Sequence, residues 1–453
     1  MNSVSPELIA LLAACRARPA DDLPRLVLAD WLDENGQSER AEFVRIQVEL
    51  SHPTADTLRT RTLKSREKEL LETHFRSWVG DLHEIAWERR ILPATPIPVD
   101  YTLAGLKIPV RFHRGLLRVD YAPSLNREID SKAIAWLRSP HRHWLEQVGL
   151  SYGTPEQFVK ADLPDELSGT IALSLNAFRQ APPPSVREHF RLLAVSSNFT
   201  AVRSLWVYGI PKLPIVEELA RADVSRLHEL HLSVGVSESQ LQDVLRVAEV
   251  LASAPFSSLS SIDIGPLTEP ALRALIRSPH LGNLVHLNLI GGHNGSPLGD
   301  SGMVALCGSK LANTLRAVEF PNTGIGDAGV RALTLSPLLA NLHGPRLNLM
   351  MNRIGGLGLK ALAECRHLVR FRELVLRENQ VDDEGVVTLA ASPHAANLQY
   401  LDFWRNRLTD RGAIALAGSP YLNKVVDLCV KENQITEAGA AILHERFGEA
   451  VKT

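Results

Sequence analysis

The sequence predicts an α/β fold: a repeat solenoid curved into a horseshoe, with a parallel sheet on its concave face and helices on its convex face, preceded by a small all-helical domain. Three observations predict it. From residue 347 one phrase recurs at intervals of 27 residues, as Leu347-Asn-Leu-Met-Met-Asn352-Arg-Ile, Leu374-Val-Leu-Arg-Glu-Asn379-Gln-Val, Leu401-Asp-Phe-Trp-Arg-Asn406-Arg-Leu and Leu428-Cys-Val-Lys-Glu-Asn433-Gln-Ile. Six positions after each Asn stands a glycine (Gly358, Gly385, Gly412, Gly439), followed by a helical stretch such as Val386-Val-Thr-Leu-Ala-Ala. Residues 1–84, by contrast, do not repeat and carry helical spacing throughout.

The first element is the apolar run from Leu8 to Cys15. Its Leu12-Ala13-Ala14-Cys15 imitates a lipoprotein cleavage box, but Pro6 and Glu7 precede it, no Lys or Arg does, and it is short for a signal core, so it reads as an amphipathic helix. Leu23, Leu26, Val27 and Trp31 mark one apolar face of a second helix, with Asp21 or Asp22 as N-cap, Pro24 in the first turn and Gly36 ending it. A third carries Phe43, Ile46 and Leu50, and a charged fourth runs from Arg59 to Trp78. The string Leu23-Pro-Arg-Leu-Val-Leu-Ala-Asp30-Trp31-Leu-Asp-Glu-Asn-Gly36, continued by Arg40-Ala-Glu-Phe-Val-Arg-Ile-Gln47, closely resembles the repeat-companion domain, a short N-terminal module of bacterial proteins that often precedes repeats. The resemblance brings no biochemical activity with it. Residues 85–112, with Pro93, Pro96, Pro98 and Pro109, read as a connector, and Phe112-His-Arg-Gly115 opens an array over 113–453.

Weaker copies of the leading L-x-L element stand at Leu117, Val148, Leu173, Leu205, Leu230, Ile262, Leu287 and Val318, giving about twelve repeats. Their steps alternate between 25 and 31 or 32 residues, so successive pairs span 56 or 57, a double repeat. In each copy the two apolar residues point into a core and the residue between them points out, which is a strand; the glycine and the Ala/Leu-rich run then form a helix on the other side. The Asn is expected to bridge backbone groups of the irregular turn to the neighbouring repeat. L-x-L-x-x-N-x-L with a helix in every copy resembles the leucine-rich repeat in its longer, ribonuclease-inhibitor-like form, whose units each bury a neighbour's exposed side.

Composition narrows the function. Of 453 residues, 49 are basic and 51 acidic, so no whole-protein field draws in nucleic acid or an anionic membrane. No run approaches the roughly 18 apolar residues of a membrane span. Cys15, Cys307, Cys365 and Cys429 are far apart, which fits a reducing, cytoplasmic compartment without structural disulfides or zinc.

Several strings imitate chemistry. Gly299-Asp300-Ser301-Gly302 spells a serine-protease nucleophile motif, yet at the same phase the Ser slot holds Ala328, Leu357, Glu384, Arg411 and Ala438, so it reads as a repeat surface position. Gly291-Gly292-His293-Asn294-Gly295 lacks the Lys-Ser/Thr of a phosphate loop and reads as an inserted turn. His141-Arg142-His143 has no third metal ligand, and Asp382-Asp383-Glu384 suits a helix N-terminus better than calcium. The sequence therefore implies no catalytic residue, no cofactor and no metal.

What remains is surface. The concave face is expected to display Asn348, Met350 and Met351; Val375, Arg377 and Glu378; Asp402, Trp404 and Arg405; Cys429, Lys431 and Glu432. Trp404 stands where other repeats have Met350, Arg377 and Lys431, so indole is not needed for packing, and Trp and Arg are the commonest interface anchors. The expected partner-binding set is Met350, Arg377, Glu378, Asp402, Trp404, Arg405, Lys431 and Glu432. The leading reading is a non-enzymatic scaffold binding a protein partner on that face. Two alternatives stand beside it: an enzyme with its active site in residues 1–110, and a nucleic-acid binder using Arg111, Arg114 and Arg118 or the C-terminal arginines, which the interleaved Glu378, Asp402 and Glu432 weaken.

Overall fold

The computed structural model describes residues 4–18, 21–52, 57–79, 110–119, 143–152, 154–160, 171–175, 183–208, 212–233, 238–265, 267–289 and 298–453. Most of the connector, His141, Arg142 and the Gly291–Gly295 turn fall outside these residues. The chain divides into two compact units, 1–180 with 188–207, and 181–187 with 208–453.

The first unit opens with four helices, α1 (Pro6–Ala17), α2 (Leu23–Glu34), α3 (Ser38–Leu50) and α4 (Thr57–Val79). Ser5 caps α1 by accepting from the Glu7 N–H, and Leu8, Leu12 and Cys15 of its inner face pack with Leu28, Ala29, Leu32, Ala41, Val44, Leu116 and Trp144. The segment that imitates a cleavage box is thus part of a core. In α2 the expected apolar face is corrected: Leu23, Leu26 and Val27 are 63%, 39% and 44% exposed, and the helix buries Arg25, Leu28, Ala29 and Leu32 instead. The i, i+3, i+4 spacing of α2 fits either face, and a buried Arg is tolerated because both of its terminal nitrogens are hydrogen-bonded and one of them meets a carboxylate, although its Nε has no acceptor. Its guanidinium donates to Glu146 at 3.0 Å and to the carbonyls of Arg18 and Asp21. A second core joins Phe43 and Ile46 of α3 to Leu70, Leu71 and Trp78 of α4.

Phe112-His-Arg-Gly115, expected to open the array, forms an antiparallel hairpin between β1 (Val110–His113) and β2 (Leu116–Val119). Arg114 and Gly115 both have positive φ (49° and 86°), which matches the twist of a two-residue hairpin. A Cβ on Gly115 would stand 2.5 Å from Val44 Cγ2, so the turn is packed directly on α3. Parallel strands follow as β3 (Leu145–Tyr152), β4 (Ile171–Leu175) and β5 (Val202–Tyr208), with Leu150, Leu173 and Leu205 in register. The sequence reading led this repeat with Val148, two residues early. A slip of two keeps every side chain on its face, so periodicity alone does not detect it.

In the second unit β6 (Glu229–Ser233), β7 (Ser261–Asp263), β8 (His286–Asn288) and β9 (Ala317–Glu319) pair in parallel order. So do β10 (Arg346–Asn348), β11 (Glu373–Val375), β12 (Tyr400–Asp402), β13 (Asp427–Cys429) and a two-residue closing strand that the repeat pattern did not announce, β14 (Val451–Lys452). Leu347, Leu374, Leu401 and Leu428 stand side by side, each almost wholly buried. All twelve leading L-x-L positions lie on strands.

Two ladders of polar side chains tie repeat to repeat. The Asn406 amide donates to the carbonyls of Leu376 (2.9 Å) and Phe403 (3.1 Å), and its Oδ1 accepts from the Val381 N–H (2.9 Å); Asn352, Asn379 and Asn433 make the corresponding bonds to their own and the preceding repeat. Asn379 is half-buried, whereas Asn352 and Asn406 are buried. The second ladder is aspartate. Asp327 Oδ1 accepts from the N–H groups of Gly355 (2.7 Å) and Gly358 (2.8 Å), the start of the next repeat's helix, Gly356–Glu364. Asp300 does this for Gly326 and Gly329, and Asp383 for Thr409 and Gly412. This explains three of the glycines six positions after an Asn: a Cβ on Gly358 or Gly412 would lie 2.6 Å from Oδ1 of Asp327 or Asp383, and one on Gly439 would meet Asp410 Oδ1, whereas a Cβ on Gly385 would lie 2.9 Å from the Gly356 backbone. In the one gap, where the slot holds Gly356, Asp382 turns back to cap its own helix through Gly385 N–H.

Candidate functional site

The residue just before each ladder Asn is left-handed although it is not glycine: Met351 (φ 58°), Glu378 (54°), Arg405 (55°) and Glu432 (53°). The conformation disfavours most side chains, and here it recurs because the turn must deliver the Asn inward. Between the strands and these turns, main-chain bonds run from Met351 N–H to Arg377 O, Glu378 N–H to Trp404 O and Arg405 N–H to Lys431 O (2.8, 2.8 and 2.9 Å). Arg377, Trp404 and Lys431 therefore share one phase in successive repeats, and Glu378, Arg405 and Glu432 share the next.

The side chains interlock. The Arg377 guanidinium carbon is 3.8 Å from the centroid of the Trp404 ring and that of Arg405 is 5.1 Å away. Arg405 also reaches Glu378 (3.6 Å) and Glu432 (3.3 Å), and Arg377 reaches Glu378 at 3.6 Å. The result is an indole held by two cations, beside a charge row of alternating sign. Trp404 keeps part of its surface in solvent, Arg405 is 59% exposed on its side chain and Lys431 is exposed. Met350 is half-buried, and its carbonyl accepts from Asn322 N–H and Asn352 Nδ2.

Two expected display positions are corrected. Val375 is 2% exposed and Asp402 8%. With neighbouring strands about 4.8 Å apart, short side chains disappear beneath long neighbours. Asp402 instead supports Trp404, its Oδ1 accepting the Trp404 N–H at 2.9 Å while the Tyr400 hydroxyl donates to its Oδ2 at 3.4 Å.

The strings that imitate chemistry acquire other partners. Ser301 Oγ donates to Glu269 Oε2 at 2.5 Å on an exposed helix start. Asp300, Asp382 and Asp383 belong to helix starts. Of the alternative arginine patch, Arg118 is bonded to Glu146 at 2.6 Å and Arg114 to Asp22 at 3.1 Å, so their charge is matched, and the side chain of Arg111 lies outside the described residues. In the N-terminal segment burial pushes the Cys15 thiol up to about 11, opposite to what a nucleophile needs. Among the described residues no group of three His, Cys, Asp or Glu is arranged to hold a metal ion, and no helix is long and apolar enough to cross a membrane.

Sequence reasoning missed a polar cluster on β6–β8. His286 Nδ1 and Ser261 Oγ are 2.8 Å apart, Asn288 Nδ2 donates to Asp263 Oδ2 at 3.1 Å, and His231 stands 4.0 Å from the same carboxylate. Burial raises the Asp263 carboxyl, but hydrogen bonds from His231, Asn288 and Gly265 hold it below its ordinary value; burial and then His231 push His286 down. The signal was present as polar residues at the outward slots of adjacent L-x-L elements.

Known proteins bear on the array. The Leucine Rich repeat family model matches residues 346–363, 371–390 and 394–417. No curated protein matches the chain. Solved structures that match include an internalin from Listeria monocytogenes, with 16% identity and a TM-score of 0.25 over 59% of this chain and 93% of that one. With the strand register, the Asn ladder and the family match in agreement, residues 346–417 are leucine-rich repeats.

Proposed function

We propose that the protein is a non-enzymatic, cytoplasmic scaffold that binds a protein partner on the concave side of its repeats, through Met350, Arg377, Glu378, Trp404, Arg405, Lys431 and Glu432, with Asp402 bracing the Trp404 backbone. The observation that carries this reading is the partly exposed Trp404 indole flanked by Arg377 and Arg405. Proteins built of leucine-rich repeats generally mediate protein–protein contacts, and stacked repeats supply the extended surfaces for them. An aromatic ring between cations whose salt bridges are solvent-exposed suits an acidic or aromatic-bearing segment: the ring provides area, and the charges provide orientation and on-rate. The ribonuclease-inhibitor-like form of the repeat and the division into a companion module (1–84), a connector (85–112) and an array (113–453) belong to the same proposal.

The test is a comparative capture from the native cell on the immobilised full chain, its Trp404→Ala variant and its Arg405→Glu variant, with circular dichroism confirming equal folding. A protein retained by the first and lost by both variants supports the reading. Identical captures on all three overturn it for this face.

A further inference from the structure

Arg40 of α3 is 7% exposed, and its guanidinium carbon lies 3.2 Å from the centroid of the Trp144 ring and 5.6 Å from that of Trp78. Cation–π contact compensates part of its desolvation, since the faces of both rings carry negative charge. It leaves the edge of the fork unsatisfied: Nε and Nη2 are both buried and neither has a hydrogen-bond acceptor. Burial pushes this group down to about 9, whereas for Arg25 the neighbouring Glu146 counteracts the same effect.

The chemistry of that edge is visible elsewhere in the molecule. Arg66 uses its Nε and Nη2 to grip both carboxylate oxygens of Glu42, at 2.9 and 2.8 Å, and Arg59 grips Glu49 with the same two atoms. Two parallel N–H···O bonds of this kind are what a guanidinium edge is shaped to make. We propose that the Arg40 edge is a receptor for a carboxylate, taken up beside the Trp144 face. A planar carboxylate places both oxygens opposite the two N–H groups of that edge and needs less room in a buried site than a tetrahedral phosphate does. The carboxylate can belong to a small organic acid or to an acidic side chain of a protein segment, and the two sources are separable by experiment.

The full chain is titrated with sodium acetate, with the amide of a glutamate-containing tripeptide, with sodium phosphate and with sodium chloride at matched ionic strength, following tryptophan emission and Tm. The expected result is a saturable emission change and a rising Tm with acetate, with the tripeptide amide, or with both, and no saturation with phosphate or chloride. A response to acetate alone assigns the site to small acids, and one to the tripeptide alone assigns it to a protein carboxylate. Arg40→Met, which places an apolar chain between the indoles, is expected to fold and to lose the response; Arg40→Lys keeps the charge without the fork and is expected to weaken it at least about tenfold. No saturable response in the unaltered chain, an equal response to phosphate, or a response unchanged in both variants overturns the proposal.

Discussion

The Arg377 guanidinium carbon stands 3.8 Å from the centroid of the Trp404 indole one repeat further along, so the residue unique to its slot is stacked under a residue of the preceding repeat. The contact is intramolecular, and each exposed cation–π pair is worth about 0.5–1 kcal/mol. With two such pairs, Trp404→Ala is therefore expected to lower Tm by only about 1–2 °C, since about 1 kcal/mol shifts Tm by roughly 1 °C in a chain of 453 residues. Loss of a true anchor weakens binding by about 30-fold or more. Calorimetry on the captured partner checks the second figure and a thermal melt the first; unchanged affinity with a large fall in Tm would show that Trp404 serves packing alone.

Asn406 is 9% exposed and bonds to two repeats, so Asn406→Ala leaves the Val381 N–H without its acceptor and takes one of two amide donors from each of the Leu376 and Phe403 carbonyls, which keep Asn379 and Asn433. The expected loss is about 1–3 kcal/mol in urea unfolding. Asn379→Ala, at a half-buried site, is expected to lose less. Equal stability of the Asn406 variant and the parent would contradict the ladder.

Asp383→Ala removes the acceptor for Thr409 N–H and Gly412 N–H, both at the start of the next helix, Asp410–Ala417. A lost helix cap costs about 1–2 kcal/mol. Glu384→Ala breaks only an exposed pair with Arg411 and is expected to change stability by less than about 0.5 kcal/mol. Urea midpoints of the two variants, measured side by side, discriminate between inter-repeat capping and general loss of negative charge.

Ser301 donates to an exposed Glu269 carboxylate, and among the described residues no histidine or lysine is hydrogen-bonded to it. Incubation with a fluorophosphonate probe is expected to leave the protein unlabelled, and Ser301→Ala to retain the parent's melting curve. Stoichiometric labelling lost in that variant would replace the scaffold reading with an enzymatic one.

Glu146 supplies the pH dependence of the first unit. Burial alone would raise its carboxyl, but the hydrogen bond from His113 and the charge of Arg118 override it and leave it at about 2, against an ordinary value of 4.5. Because the folded value is the lower one, the stabilisation, roughly 3 kcal/mol, is fully present above about pH 4.5 and is lost as pH falls from there toward 2. Melts of the parent between pH 6 and 2.5 are expected to fall more steeply than those of Glu146→Gln, which starts lower because Arg25 loses its charged partner. Parallel curves would refute the assignment.

The repeat was legible in the residues alone. Apolar alternation every two residues fixes which side chains of Leu347, Leu374, Leu401 and Leu428 turn inward, a 27-residue step fixes that they stack, and an Asn in a turn that buries its backbone has one use. Trp404 stood out for the same reason: a regular pattern makes its exceptions visible. The tertiary structure decided what periodicity cannot encode. The two-residue slip at Val148 preserves the face, and the choice between the two faces of α2 depends on whether Arg25 finds Glu146, 121 positions away. The burial of Val375 and Asp402 depends on the reach of side chains on adjacent strands. The aspartate ladder was spelled out as Asp300, Asp327, Asp383 and Asp410, but its meaning needs the neighbouring helix start within hydrogen-bond distance. Likewise Arg40 is one arginine among many until folding places it between Trp78 and Trp144, with its carboxylate-binding edge turned inward.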